Sequence, residues 1–286
     1  MIHYGIVINP IQGPIRAFFA VMDMDFERHT GNRRIHNLNV LLEGSDYKMN
    51  FRNLADGLSL LGDINDESVT TAFFDPQYRG VLDKLNYGNE GVNRGVGRCS
   101  LTQMDQDTIK AFMREIGRVL KPSGYLMLWV DKYHLCEGVK CWAEDTDLIQ
   151  VDMITWEKKR IGMGYRTRHK SEFLLVFQKS PLKAKATWTD RSIPDVWAEP
   201  AGKEHPHCKP IELQKRLIAA TTKPGDVVLD PAAGSFSVLA ACKEVGRDFI
   251  GGDIQFGEKI SNDEKPYLPK ELLIPLQKPQ QIAFFN

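Results

Sequence analysis

Val227-Val228-Leu229-Asp230-Pro231-Ala232-Ala233-Gly234-Ser235 is an apolar run that ends in an acid, a proline and a glycine turn, and a helical pattern follows from about Ser235 to Val245. Such a run reads as a buried strand handing the chain through a tight turn to a helix N-terminus. Roughly twenty residues on, Phe249-Ile250-Gly251-Gly252-Asp253 repeats the theme, with an acid at the strand end where ribose hydroxyls are commonly bound. Further apolar runs rich in β-branched and aromatic residues occur at Thr70 to Phe74, Tyr125 to Val130, Val151 to Trp156 and Phe173 to Phe177. Between the first two, Asp107 is read as the N-cap of a helix carrying Ile109, Phe112, Met113, Ile116 and Leu120 on one face, stopped by Lys121-Pro122-Ser123-Gly124. Another helix is predicted from about Pro210 to Thr222 with Leu213, Leu217 and Ile218 inward. Strands alternating with helices imply a mostly parallel sheet covered on both faces, with ligands at the carboxyl ends of its strands.

The chain has 286 residues, of which 42% are hydrophobic and 26% charged, enough to bury a full core. Met1 to Met24 contains no basic start followed by an apolar run, since Arg16 and Asp23 flank its greasiest stretch. Neither a signal peptide nor a membrane span is read, and a cytoplasmic location is expected. The five cysteines, Cys99, Cys136, Cys141, Cys208 and Cys242, form no C-x-x-C pair, which argues against a disulfide framework. His134, Cys136 and Cys141 with His205, His207 and Cys208 are metal-ligand types, but their spacing fits no standard finger or ribbon, so no metal is expected.

Net charge is zero, with 37 basic and 37 acidic residues, which excludes a generic polyanion binder. The local balance differs. Glu157 to Arg191 holds ten basic residues, Lys158, Arg160, Arg166 and Arg168 among them, against three acidic ones. A segment of that kind suits phosphate contacts, with a solvated basic face as the alternative. Arg79 to Gln103, rich in Gly and Asn, reads as a loop that carries Arg79, Arg94 and Arg98.

The chemistry begins at Phe73-Phe74-Asp75-Pro76-Gln77-Tyr78, an apolar strand ending in an acid, a proline and a tyrosine. This segment resembles the D-P-P-Y motif of amino-methyltransferases, with Gln77 in place of the second proline. The resemblance implies a nucleobase amine as target, a poor nucleophile because its lone pair is delocalised into the ring. A carboxylate at Asp75 and a rigidly placed carbonyl at Pro76 that accept its two N–H bonds would localise that pair and aim it. Tyr78 would hold a flipped base by stacking. The stretch from Asp230 to Ser235 resembles the D-P-F-x-G-S-G cofactor loop of the same enzymes, with Phe236 where a second glycine usually stands. His205-Pro206-His207-Cys208-Lys209-Pro210 looks like their H-P-T-Q-K-P segment. Trp156-Glu157-Lys158 with His169 and Glu172 looks like their W-x-K segment and H-E-like pair.

The order of these motifs, target-base motif first and cofactor loop last, resembles the circularly permuted β-type DNA amino-methyltransferases of the adenine-N6 and cytosine-N4 family. The resemblance implies a Rossmann-like class I methyltransferase fold: α/β, with a mostly parallel seven-stranded sheet, one antiparallel strand and helices on both faces. It implies S-adenosyl-L-methionine as cofactor and S-adenosyl-L-homocysteine as product, held by Asp56, Lys209, Asp230, Pro231, Ala232, Gly234, Ser235 and Asp253. Asp75, Pro76 and Tyr78 would be catalytic, and adenine in DNA the favoured target because the acid-first motif goes mostly with adenine in the family. Cytosine-N4 methylation of DNA, adenine-N6 methylation of RNA and a silent nucleic-acid-binding subunit are the alternatives. A cognate restriction enzyme would be a natural partner.

Three segments follow: residues 1–45 as an extension without a functional reading, 46–254 as the methyltransferase domain and 255–286 as a Pro- and Lys-rich tail. The tail ends in Gln281-Ile282-Ala283-Phe284-Phe285-Asn286. Residues 281–285 resemble the pentapeptide by which bacterial replication proteins dock on a sliding clamp, and the alternative is a last strand packed on the protein's own core. Clamp docking requires that purified clamp bind the full chain and not a chain ending at Gln280. Equal binding, or none by either, rejects it, and lower folding stability after truncation supports core packing.

Overall fold

The computed structural model describes residues 40–77, 104–162, 167–200 and 208–260. In chain order the elements are β1 (Asn53–Leu54), α1 (Gly57–Gly62), β2 (Val69–Phe74), α2 (Gln106–Val119), β3 (Leu120–Val130) and α3 (Lys132–Glu137). After a short 3-10 turn (Lys140–Trp142) come β4 (Leu148–Glu157), β5 (Ser171–Lys179), α4 (Ala184–Thr187) and β6 (Val196–Ala198). The chain then runs through α5 (Ile211–Thr221), β7 (Val227–Asp230), α6 (Ser237–Val245) and β8 (Asp248–Asp253). The Gly- and Asn-rich loop, Tyr78, Arg166, the His205 to His207 segment and the C-terminal pentapeptide lie outside the described residues.

The strands form one sheet in the order β1-β8-β7-β2-β3-β5-β4-β6. All pairings are parallel except those of β5 with β3 and β4, so β5 is the single antiparallel strand. The described sheet has eight strands where the resemblance implies seven. Its outermost strands, β1 and β6, are only two and three residues long.

Both faces of the sheet are covered, which is why the central strands read as continuous apolar runs and not as alternating ones. Along β3, Leu126 and Leu128 join α1 and α2 through Leu60, Leu61, Phe112 and Met113. Their neighbours Tyr125, Met127 and Trp129 join α5 and α6 through Leu213, Leu217, Val238 and Leu239. The period of two in the strand thus divides one run between two cores. Packing extends to Val40 on one side and to an Asn53–Glu258 bridge on the other. Among the described residues, no helix is long and apolar enough to cross a membrane.

Two boundaries differ from the sequence expectation. The N-cap of α2 is Asp105, whose side chain accepts from the Thr108 N–H, and Asp107 lies inside the first turn. Both acids favour the positive end of the helix, but only Asp105 has the extended backbone that a cap requires. Leu120 through Gly124 belong to β3, with a register shift opposite Val69 and Thr71. The proline and glycine there mark an irregularity at the strand's start, in which Ser123 takes a positive φ of 66°.

The start of α6 explains the departure at Phe236. Its backbone is left-handed, φ 59° and ψ 34°, the conformation a glycine adopts without strain. The ring is 3% exposed, packs edge-on to Phe249 with centroids 6.3 Å apart and carries the Arg52 guanidinium 4.8 Å from its centroid. Left-handed backbone costs about 1–2 kcal/mol, whereas losing a buried phenylalanine costs about 3–5 kcal/mol. Phe236→Gly is therefore expected to lower stability by roughly 2 kcal/mol in urea unfolding. A variant as stable as the parent would show that relief of the backbone offsets the whole packing loss.

Candidate active site

β2 pairs with β7 through Thr71↔Val228 and Ala72↔Leu229, and β7 with β8 through Asp230↔Gly251. All three strands end at the same edge, and a cleft of about 270 Å3 opens there. The strand order reverses at this point, since β2 leads to β3 on one side while its other neighbour, β7, comes from far along the chain; this is the usual place for a ligand crevice.

One wall is the turn from β7 to α6. Asp230 is 6% exposed and accepts from the Ala232 N–H at 3.3 Å, while Ala233 N–H donates to Gly252 O at 3.0 Å. Burial pushes the Asp230 carboxyl well up; the Ala232 N–H opposes this, and the nearby charges of Asp75 and Asp253 add to it. Gly234 has a positive φ of 48°, and its N–H donates to Asp253 Oδ2 at 3.1 Å. Asp253 Oδ1 accepts from the N–H groups of Gln255 and Phe256 at 2.8 and 2.9 Å. Asp253 thus holds the glycine turn and its own strand end together, with lone pairs to spare for a ligand hydroxyl.

The second wall is the start of α1. Asp56 caps this helix, accepting from Ser59 N–H at 2.9 Å, and faces the cleft together with Gly57. A Cβ on Gly57 would lie 2.3 Å from the Pro231 carbonyl oxygen, so only glycine lets α1 abut the turn after β7.

The third wall carries Asp75 at the tip of β2, with Lys209 beside it. Lys209 Nζ lies 2.9 Å from Asp75 Oδ2 and 3.0 Å from Glu172 Oε2, and 4.9 Å from the centroid of the Trp129 ring. Burial alone would lower the ammonium's pKa, but the two carboxylates outweigh it and hold the group above the ordinary lysine value. For Glu172, burial works upward and the charges of Lys209 and Lys158 prevail, bringing it down to about 2.

Asp56, Asp75, Lys209, Asp230, Pro231, Ala232, Gly234, Ser235 and Asp253 all line this one cleft. Pro76 is buried immediately after Asp75. Tyr78, Arg79, Arg94, Arg98 and Arg166 lie outside the described residues. Arg160 and Arg168 are exposed, whereas Lys158 is paired with Glu172 and sits 5.0 Å from the Trp156 ring centroid.

Sequence reasoning missed two groups. Trp129 Nε1 and Gln214 Oε1 are buried without a hydrogen-bond partner among the described residues, and both side chains belong to residues that line the cleft. Such orphans are rare because each costs its full desolvation. A donor and an acceptor left over in one cleft fit the amino-acid end of S-adenosylmethionine, which carries a carboxylate and an ammonium. The available signal was Gln214 itself, a lone amide next to Leu213 on the inward face of α5.

A doubly covered parallel sheet, a glycine turn after one strand, an acid after the next and an acid-proline tip on their neighbour define a class I methyltransferase cleft. Residues 73–260 match the DNA methylase family of N6 and N4 methyltransferases, and the chain belongs to that family. It is 58% identical over 212 residues to the Type II methyltransferase M.HhaII of Haemophilus parahaemolyticus, covering 73% of this chain and 93% of that protein. It is 28% identical over 232 residues to the Type II methyltransferase M2.DpnII of Streptococcus pneumoniae, covering 70% and 83%. The fold resembles the cytosine-N4-specific PvuII DNA methyltransferase, with a TM-score of 0.56, 15% identity and coverage of 74% and 86%. It also resembles a putative DNA modification methylase from Thermus thermophilus solved with S-adenosyl-L-methionine, with a TM-score of 0.51, 20% identity and coverage of 71% and 88%.

The depressed Glu172 has a pH signature. Its folded value of about 2 lies below the ordinary 4.5, so its ionised form stabilises the fold fully above about pH 5, and this contribution fades as pH falls through about 2. The stability gap between the parent and Glu172→Gln should be widest near neutrality and close across that window, as read from urea midpoints. A gap constant with pH would mean that Glu172 titrates at its ordinary value.

Proposed function

We propose that this chain is a DNA adenine N6-methyltransferase that uses S-adenosylmethionine and releases S-adenosylhomocysteine. The observation that carries this reading is the position of Asp75 at the tip of β2, beside the turn after β7 and on the same cleft. When bound, the cofactor supplies an electrophilic methyl on a sulfonium. The chain's task is then to place an amine in line with it and to keep the amine's lone pair available.

Asp75 is suited to accept one N–H of that amine, and the Pro76 carbonyl the other. Tyr78 supplies a face for the flipped base. Asp56 and Asp253 would take hydroxyl and amine donors of the cofactor, while Trp129 and Gln214 would meet its carboxylate and ammonium. Arg160 and Arg168, exposed beside the mouth-proximal ends of β4 and β5, together with Arg79, Arg94, Arg98 and Arg166, would contact phosphates. The preference for adenine rests on the acid-first motif. The Type II names of the relatives make a cognate restriction enzyme the natural partner.

Labelled-methyl transfer to DNA and RNA followed by nucleoside mass spectrometry tests this. N6-methyladenine in DNA is expected. N4-methylcytosine, or label only in RNA, would reassign the base or the nucleic acid, and no transfer to either would favour the silent subunit. Asp75→Ala should lower kcat at least about a hundredfold with S-adenosylmethionine binding kept, since such a preorganised acceptor is worth a few kcal/mol. Activity within about tenfold of the parent would contradict the role of Asp75.

A further inference from the structure

Four charged side chains stand in series and lead into the cleft: Lys158, Glu172, Lys209 and Asp75. Glu172 receives Lys158 on Oε1 and Lys209 on Oε2, and Lys209 in turn reaches Asp75 Oδ2. The series joins the end of β4 and the start of β5 to the tip of β2 and to Lys209, two residues before α5, elements far apart in sequence.

The ionised Glu172 contributes to stability, but stability alone does not call for this arrangement. Apolar side chains of similar volume often serve a fold as well as a largely buried ion pair does. What the series supplies is a fixed position. The charges of Asp75 and Asp253 push the Asp230 carboxyl up and that of Lys209 pulls it down, while Lys209 also pairs directly with Asp75. Left to Asp75 alone, the Lys209 ammonium would be free to cover both carboxylate oxygens or to turn toward a ligand. Glu172 holds it from the other side. Glu172 is not among the described residues that line the cleft, and its link to the reacting side of the cleft runs through Lys209.

We propose that Glu172 is a positioning residue for methyl transfer: it anchors the Lys209 ammonium, and Lys209 pins Oδ2 of Asp75 so that Oδ1 remains the acceptor for the target amine. Lys209 thereby serves the amine-binding side of the cleft and not only the cofactor. The proposal rests on the reading of Asp75 as amine acceptor. Because the carboxylate is already pinned before the base arrives, its loss of orientation should appear in the chemical step and not in cofactor binding.

The test uses the full chain, a DNA substrate and labelled S-adenosylmethionine, with kcat and KM for both substrates and the calorimetric Kd for S-adenosylmethionine. Glu172→Gln should lower kcat by about tenfold or more while KM and Kd for S-adenosylmethionine stay within about threefold of the parent, and Glu172→Asp should recover part of kcat. If circular dichroism shows Glu172→Gln unfolded, Glu172→Asp carries the test through the same split. A kcat reduced by less than about tenfold, or a loss that falls on KM and Kd for S-adenosylmethionine with kcat kept, overturns the proposal and returns Lys209 to the cofactor. Asp75→Ala in parallel separates the two readings. An inactive Asp75→Ala beside a parent-like Glu172→Gln removes only the positioning role, whereas an active Asp75→Ala removes the acceptor reading and this proposal with it.

Discussion

The parallel pairing of β2 with β7 is the constraint on which the rest of the molecule depends. Thr71↔Val228 and Ala72↔Leu229 set the register, and that register decides that Asp75 and Asp230, each just past the apolar part of its strand, emerge at one edge. A slip of one residue would turn Ala72 and Phe74 to the opposite core and carry Asp75 out of the cleft. Burial on both faces guards against such a slip, because Phe73 and Phe74 are committed to different cores. A side-chain hydrogen bond from Thr71 to Thr221 on α5, 2.8 Å long and fully buried, ties the same strand to the helix that follows Lys209.

The electrostatics of the cleft follow from that edge. Three carboxylates, those of Asp75, Asp230 and Asp253, converge where parallel strands end, and each is managed differently. Asp253 is satisfied by backbone N–H groups, Asp230 is buried and pushed up, and Asp75 is paired with Lys209. An acid-rich site of this kind receives a cationic sulfonium cofactor favourably, and Lys209 is the basic residue among the described ones that line it, whereas Arg160 and Arg168 are exposed near the ends of β4 and β5.

Much of this was legible in the sequence. The strands at residues 69–74, 227–230 and 248–253 announce themselves because a doubly covered sheet demands unbroken apolar runs, and their terminal acids sit where parallel strands deliver ligands. The cap of α2 falls two residues before the expected one because Asp105 and Asp107 are both compatible with a helix start, and only backbone geometry separates them. Proline and glycine at 122 and 124 read as a turn, yet the edge of β2 captured the segment as an irregular strand start. The charge series through Glu172 was not legible as such, since Lys209 and Glu172 are 37 residues apart and meet only once β5 lies antiparallel beside β3. Gly57 was equally silent, because its need for close approach to Pro231 arises between elements that only the finished sheet brings together.

Hydrogen exchange with and without S-adenosylmethionine tests the central claim most directly, namely that the ends of β2, β7 and β8 with the start of α1 form one cofactor cleft. Added protection is expected at residues 55–58, 73–77, 129, 209–214, 230–238 and 253–256, with β4 and β6 unchanged. Protection at β4 and β6 instead, or none anywhere at saturating cofactor, would contradict it.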